Sequence, residues 1–579
     1  LAARDPDGDE LVPFAHQRRF VTKALQSTQP FFANFHMPGL GKTATCVQYF
    51  AALELLHNGG ATALVSVPLM TLLHWKETFE RWIDGAKLPP GWLLATNKAE
   101  KLPTSAAALA PLRVVVVTHH ILQRLHKAHT AGPADASCGR AALVFGRAWS
   151  LFAIDEAHVC RNPATDLCQA HAHAAKSATR RLAITATPII NGPLDMVGLC
   201  VALNADHDLQ QRSTWSSAGR KTNIFSKDAA ERFRRVSDRV TKDALGLPPL
   251  VEHLVDFEVA LAPADVAAYN ALLDEAQKCN VVGAQVVGLE LTQRLTQILY
   301  RLQAFLVAPL LAQEGADAFR ADAALAPAAA AQDTGLLKAL RRQVELLFAA
   351  GEQRLLLVAC HVQILRVAQA YLAARLGGDL ETFTFDSTDS SAAQKERSRQ
   401  AFLRSPGRSI MFLSMKAGGQ GIQLAPGCSA CVFFGSTPFS PASLEQATSR
   451  IHRQGQDRPC LIRHLVAAGS IDAAIRTLHG DKDRLAHAIL NCDFTEMGNE
   501  KERRVRWRTM RRIVDGCAPA EPGGNLRRAA PLADPLGVAT LLAPAGPPAP
   551  DVMELQKPVV SFDTPRASGA GSASRLPPL

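Results

Sequence analysis

No uninterrupted apolar run in this chain reaches the roughly 18 residues a membrane-spanning helix needs, and no charged-then-apolar leader opens it. No membrane role is therefore expected. The 12 cysteines lack a repeating C-x-x-C framework, which fits reduced thiols inside a cell better than a secreted disulfide scaffold. The close pair Cys428 and Cys431 has no second pair nearby to complete a zinc site, so both are expected as small buried hydrophobes. A starting Met is absent too: Leu1 comes first, and a fragment is expected, with targeting or reader segments among the lost flanks.

What is present is material for a large core. Of 579 residues, 47% are hydrophobic and 20% charged, enough for several domains rather than one. The formal net charge of +10 gives a modest positive field that favours polyanions.

Short apolar runs alternate with amphipathic stretches from residue 11 to 204: ATALVSVP, LRVVVVTHH, LFAIDEAH and RLAITATP are each strand-length. That rhythm predicts an α/β lobe with a parallel sheet covered by helices. A second series, including RLLLVACH, TFTFDST and ACVFFGS, predicts another such lobe over 335–480. Between them, 205–334 is expected as a helical insertion and linker, because ELTQRLTQILYRLQAFL carries apolar residues at three-and-four spacing. Within it ADAALAPAAAAQD has few large side chains and reads as a surface linker or mobile helix. A basic helical extension is expected over 481–516, and a disordered Pro, Ala and Gly-rich tail over 517–579.

The stretch HMPGLGKT, His36 to Thr43, follows a strand-like FFANF and precedes a helix-like ATCVQYFAALELL. Strand, loop and helix in that order form a phosphate-binding loop, since N–H groups at a helix start face the anion. His36 stands where the general pattern has its first glycine. Gly39 and Gly41 let the backbone approach oxygen, Lys42 reaches the β and γ phosphates, and the Thr43 hydroxyl holds Mg²⁺. LFAIDEAH ends a strand in two carboxylates, with Asp155 on the metal side and Glu156 as general base. In QATSRIHR, Gln446, Arg450 and Arg453 are three or four apart, on one predicted helix face, and the arginines are candidates to reach the γ phosphate. Trp75 and Trp82, seven apart, are expected to pack rather than stack on bases, and His171 and His173 to lie on a surface helix.

Taken together, HMPGLGKT, IDEAH, TATP and QATSRIHRQGQ fall in the chain order of helicase superfamily two. The chain resembles the SWI/SNF-type ATPases of that superfamily in GLGKT, VPLMTLLHWKETFERW, TATPIING, MKAGGQGIQL and RIHRQGQ, from about Val12 to Ile475. It departs from the family at His36, where an acidic residue is usual, at Gln423 for Asn, at Ser449 for Asp and at Ala308 for His. The resemblance implies two tandem RecA-like lobes and ATP with Mg²⁺ as cofactors. Its implied activity is a DNA-dependent ATPase that translocates on double-stranded DNA, in chromatin remodelling or DNA repair, with nucleosomes among the candidate partners.

The resemblance also implies residue roles. Pro38 and Leu40 belong to the ATP loop, Gln17 recognises the adenine edge, and Gly421 with Gln446 completes the nucleotide site. His158 links the acids to a coupling loop containing Thr185 and Thr187. Pro68, Thr118, Lys416, Gly418 and Gly419 are the implied DNA contacts. A strand-separating DNA or RNA helicase and a catalytically weak DNA-binding scaffold are the competing readings. A nuclear location follows if the source is eukaryotic, and an intracellular one otherwise. KERRVRWRTMRR, Lys501 to Arg512, is an extra DNA contact, an import signal or a brace. Protein partners are not legible.

Overall fold

Valine, isoleucine and leucine runs bounded by helical segments build two separate parallel sheets in the computed structural model. It describes residues 11–476 and 479, apart from 84–87, 133–134, 136, 190–193, 216–226, 258, 260, 284–288, 314–321, 323, 387–391, 416–421 and 439–440. The expected extension over 481–516 and tail over 517–579 lie outside the described residues. None of the described helices is long and apolar enough to cross a membrane.

The first sheet has seven strands: β1 (Phe31–Asn34), β2 (Ala63–Val67), β3 (Leu93–Thr96), β4 (Val114–Thr118), β5 (Trp149–Asp155), β6 (Ala178–Ile184) and β7 (Ser237–Asp238). Their order is β3-β4-β2-β5-β6-β1-β7, all parallel. Parallel neighbours require crossovers, so helices cover both faces and β2 and β4 are buried at every residue. The sheet also fixes the site, because β1 lies beside β6 and β6 beside β5. Their carboxyl ends, carrying the phosphate loop, Thr185 and Asp155, thus open on one edge, where ligands bind in open α/β sheets.

The second sheet has the order β10-β11-β9-β12-β13-β8. Its strands are β8 (Leu250–Phe257), β9 (Arg354–Ala359), β10 (Leu380–Phe385), β11 (Arg408–Ser414), β12 (Ala430–Phe433) and β13 (Cys460–Ala467). Alternation along β9 sends Leu355, Leu357 and Ala359 into one core and Leu356 and Val358 into another, one on each face. Cys428 and Cys431 are buried, and burial pushes the Cys428 thiol up to about 12.

The interval 205–334, expected as helical, gives a strand to each sheet: β7 pairs with β1, and β8 pairs with β13. Its helices Pro263–Gly283 and Leu289–Val307 share the core of the second sheet, through Leu299, Leu302 and Phe305 beside Leu355 and Leu357. The alanine-rich segment is also corrected. It forms the helix Leu325–Ala331, with Ala329 and Ala330 buried against the helix Val362–Leu376. Small side chains there let two helix axes approach closely, which a count of large apolar residues does not reveal.

Candidate functional site

The phosphate loop follows β1 and ends at the helix Lys42–Leu56. Gly39 (φ 86°) and Gly41 (φ 68°) are both left-handed, a conformation that costs L-residues about 1 kcal/mol or more. Space is tight there as well. A Cβ on Gly41 would lie 2.7 Å from Gln17 Nε2, and one on Gly39 would lie 3.0 Å from Arg453 Cβ. Pro38 and Leu40 are buried, and the Leu40 carbonyl faces His16 Nε2 at 3.0 Å. Lys42 Nζ donates to the His36 carbonyl at 3.0 Å and to that of Met37 at 3.4 Å. Burial pulls the Lys42 pKa down, while Glu156, Asp155 and Glu445 support its charge and Arg450 opposes it. Thr43 is half-buried beside it.

Asp155 closes β5, and its carboxylate is held from three directions. Trp75 Nε1 donates to Oδ2 at 2.8 Å, Thr71 Oγ1 donates to the same oxygen at 3.5 Å, and Glu156 N donates to Oδ1 at 3.0 Å. Trp75 therefore packs, as expected, and also orients an acid. Glu156 takes left-handed backbone (φ 46°), a strain of about 1–3 kcal/mol of the kind that collects at functional sites. The two acids diverge in chemistry. Burial and then the Glu156 charge raise Asp155 to about 6. Burial works against Glu156 too, yet the hydrogen bond and charge of His158, with Lys42 and Arg450, hold its carboxyl below the ordinary range. Neighbouring carboxyls pushed apart in this way can take different roles in one reaction.

A relay leaves this pair. His158 Nδ1 lies 3.2 Å from Glu156 Oε2 and 3.0 Å from Thr185 Oγ1, which accepts the Thr187 N–H at 3.2 Å. His158, Thr185 and Thr187 are thus brought together with Glu156.

Across the seam, the helix Pro441–Thr448 carries Glu445 and Gln446, but Arg450 and Arg453 lie beyond its end. The single helix face expected for Gln446, Arg450 and Arg453 is not formed. Arg450 N and Ile451 N close tight turns onto Ala447 and Thr448, while Ser449 Oγ donates back to the Glu445 carbonyl at 2.7 Å. Leu424 N takes the Arg450 carbonyl at 3.0 Å, so that carbonyl does not continue a helix. Burial and then Arg453 pull Arg450 down to about 10, opposed by Glu156. Among the described residues, the buried Nε atoms of Arg450 and Arg453 find no acceptor. Buried donors of that kind, facing a lysine and a loop of backbone N–H groups, suit a polyanion.

Gln17 is nearly fully buried beneath the loop. Its Oε1 accepts from Phe14 N and Gln48 Nε2, and its Nε2 reaches the Gly41 carbonyl at 3.5 Å. Pro68 follows β2, and its carbonyl accepts from Thr71 N and Oγ1, both at 3.1 Å. Thr118, expected at the DNA surface, is 3% exposed, and its hydroxyl accepts from Ile121 N as the cap of the helix His119–Ala131. Lys416, Gly418, Gly419 and Gly421 lie outside the described residues. His171, expected on a surface, is buried, with Nε2 at 2.9 Å from Ser66 Oγ. It sits one helical turn from Leu167, whose carbonyl satisfies Nδ1 at 2.7 Å.

Motif reading missed Glu445, Gln48, Lys242 and Asp238. Lys242 Nζ donates to Ser449 Oγ at 2.8 Å, occupying the position where the family-preferred acid is missing. Asp238 contacts His36 across 202 residues of sequence. No local pattern signals either pairing.

The two parallel sheets, each flanked by helices, define two tandem RecA-like lobes. Residues 35–309 match the family model described as SNF2-related domain, so the chain carries an SNF2-related domain. It is similar to Protein CHROMATIN REMODELING 4 of Arabidopsis thaliana, at 24% identity over 522 residues, covering 84% of this chain and 22% of the relative. It is also similar to the DNA repair and recombination protein RDH54 of Saccharomyces cerevisiae, at 29% identity over 175 residues, 29% of this chain and 17% of the relative. The chain spans less than half the length of these curated relatives. The Sulfolobus solfataricus SWI2/SNF2 ATPase core in complex with dsDNA covers 84% of this chain and 95% of its own, at 18% identity and a TM-score of 0.34.

Proposed function

We propose that this chain is an ATP-dependent double-stranded DNA translocase that couples hydrolysis to movement on DNA, in chromatin remodelling or DNA repair. The observation that carries the reading is the approach of the Arg453 backbone and Cβ to Gly39 of the phosphate loop, with the Arg450 charge acting on both Lys42 and Glu156. An arginine delivered across such a seam contributes roughly 10³- to 10⁵-fold in phosphoryl transfer. Hydrolysis then depends on lobe closure, and closure can be coupled to displacement along a bound polymer.

In this reading Lys42 and the loop N–H groups bind the β and γ phosphates, and Glu156 takes the proton of the attacking water. Arg450 and Arg453 stabilise charge on the transferring phosphoryl group, while Pro38, Gly39, Leu40, Gly41, Gly421 and Gln446 shape the pocket. Gln17 reaches adenine by exchanging its bond to the Gly41 carbonyl for the base edge. The Thr43 hydroxyl and Asp155 are oxygen donors of the kind magnesium prefers. They would hold Mg²⁺, which when bound neutralises phosphate charge. His158, Thr185 and Thr187 pass the state of Glu156 toward the DNA face. That face comprises Pro68, Lys416, Gly418 and Gly419, with Thr118 acting through its backbone because its hydroxyl is used as a cap. Contacts of this sort go to phosphates and carry little sequence preference. Residence in the nucleus of a eukaryotic cell accords with the role.

The test is ATP turnover with duplex DNA, single strands, RNA or nothing added. Stimulation chiefly by duplex is expected. Stimulation by single strands or RNA alone would instead indicate a strand-separating helicase, and absence of turnover a scaffold. Lys42→Ala is expected to lower stimulated turnover at least ~10³-fold by removing the charge on the transferring phosphates.

A further inference from the structure

His36 occupies the position where the family resemblance leads one to expect an acid, yet the structure supplies a carboxylate there from elsewhere. His36 is fully buried, and its Nε2 lies 3.0 Å from Asp238 Oδ2. Asp238 is 3% exposed and also receives Arg19 Nη2 at 3.0 Å and Lys23 Nζ at 2.7 Å. Burial works against its charge, but the bonds from His36, Lys23 and Arg19 prevail and bring it to about 2. An ionised carboxylate only accepts, so the proton of the pair resides on His36 Nε2. Burial pulls the imidazole pKa down, against the hydrogen bond and charge of Asp238, which push it up.

Three features connect this pair to the nucleotide loop. The His36 backbone is fixed at N–H, which donates to Asn34 Oδ1 at 3.1 Å, and its carbonyl is the acceptor for Lys42 Nζ. Phe35 N donates to the Asp238 carbonyl at 2.9 Å and Met37 N to that of Val240 at 3.0 Å, so residues 238–240 run as a splint beside the loop entrance. Four residues after Asp238, Lys242 reaches Ser449, next to Arg450, and the Pro248 carbonyl faces His452 Nε2 at 2.9 Å. The same short segment therefore touches the phosphate loop at one end and the arginine turn at the other.

We propose that Asp238 is a positioning residue of the nucleotide site: through His36 it fixes the turn from which Lys42 reaches phosphate, and through its own strand it registers that turn against the arginine segment. This deepens the nucleotide reading above and rests on it. Asp238 replaces the local acid by a distant one placed on the connection between the lobes.

The experiment measures affinity for a fluorescent ATP analogue, and kcat and KM for ATP with duplex DNA, in the full chain. The variants are Asp238→Asn, His36→Asn and the double variant, each checked for a cooperative melting transition. Loss of the fixed turn is expected to weaken binding and raise KM about tenfold in each single variant, with kcat at saturating ATP within about threefold. A lobe that was merely damaged would lose kcat with the folded fraction instead. The double variant is expected to be no weaker than Asp238→Asn, since both single changes disrupt the same His36–Asp238 contact. Unchanged affinity in a folded single variant, a fall in kcat alone, or additive losses would overturn the proposal. If Asp238→Asn does not fold, His36→Asn decides it by the same readouts. Failure of the wild-type chain to bind the analogue would overturn the nucleotide reading itself, a separate result.

Discussion

The first lobe holds its charged groups on strand ends and in chains of named hydrogen bonds, whereas the second presents Arg450 and Arg453 from turns beyond a short helix. Asp155 has Trp75 and the Glu156 N–H as partners, and Glu156 has His158. By contrast, among the described residues the buried Arg450 and Arg453 Nε atoms find no acceptor. A buried donor left unpaired costs about 1–3 kcal/mol, so an anion arriving beside these arginines would relieve that cost. Under the proposed function, the arginine side of the seam is the half that an incoming nucleotide completes. That asymmetry is what a nucleotide-driven clamp needs, because binding energy is then released on closing the seam rather than within one lobe.

The comparison can be broken at either lobe. Arg453→Ala is expected to lower duplex-stimulated turnover by ~10³-fold while leaving analogue affinity within about fivefold, and Arg453→Lys should recover little, because an ammonium lacks the planar fork. Turnover and binding measured side by side check it; a large loss of affinity with normal kcat would place the arginine in ground-state binding instead. A smaller effect is expected in the first lobe. Trp75→Phe keeps the ring in the core but removes the N–H to Asp155 Oδ2, leaving a buried carboxylate short of a donor. It should reduce kcat several-fold, raise the Mg²⁺ concentration for half-maximal rate, and destabilise by about 1–3 kcal/mol. A magnesium titration and a thermal melt read both.

The smallest effect concerns pH. Burial is outweighed by the bonds from His36, Lys23 and Arg19, which hold Asp238 at about 2, against 3.8 for the ordinary side chain. A depressed folded pKa gives stability that is fully present above the unfolded value and lost as pH falls through the folded one. Asp238→Asn should therefore flatten the acid limb of the melting-temperature profile between pH 4 and 2, by on the order of 2 kcal/mol in free energy. Parallel limbs in the two proteins would deny the carboxylate its ion pairs.

Much of the site was legible because its chemistry is local. HMPGLGKT lies within eight residues whose loop-then-helix order follows from two left-handed glycines and a helix start, and IDEAH ends a buried strand. The errors have a common origin. QATSRIHR has helical spacing, but Ser449 and the Leu424 contact end the helix before Arg450, and spacing alone cannot register a long-range hydrogen bond. The resemblance implies Thr118 as a DNA contact, and no motif shows that its hydroxyl caps the helix that follows β4.

By itself the sequence determined two α/β lobes, the phosphate loop, the paired acids and the arginine segment, since apolar periodicity and short motifs act through neighbouring residues. Only the tertiary structure decided that a strand from 205–334 joins each sheet, that Asp238 answers His36, and that Lys242 answers Ser449. Those pairings join residues about 200 apart, and the energy that selects them arises from pairing polar groups that folding has buried, a quantity that exists only once the chain is folded.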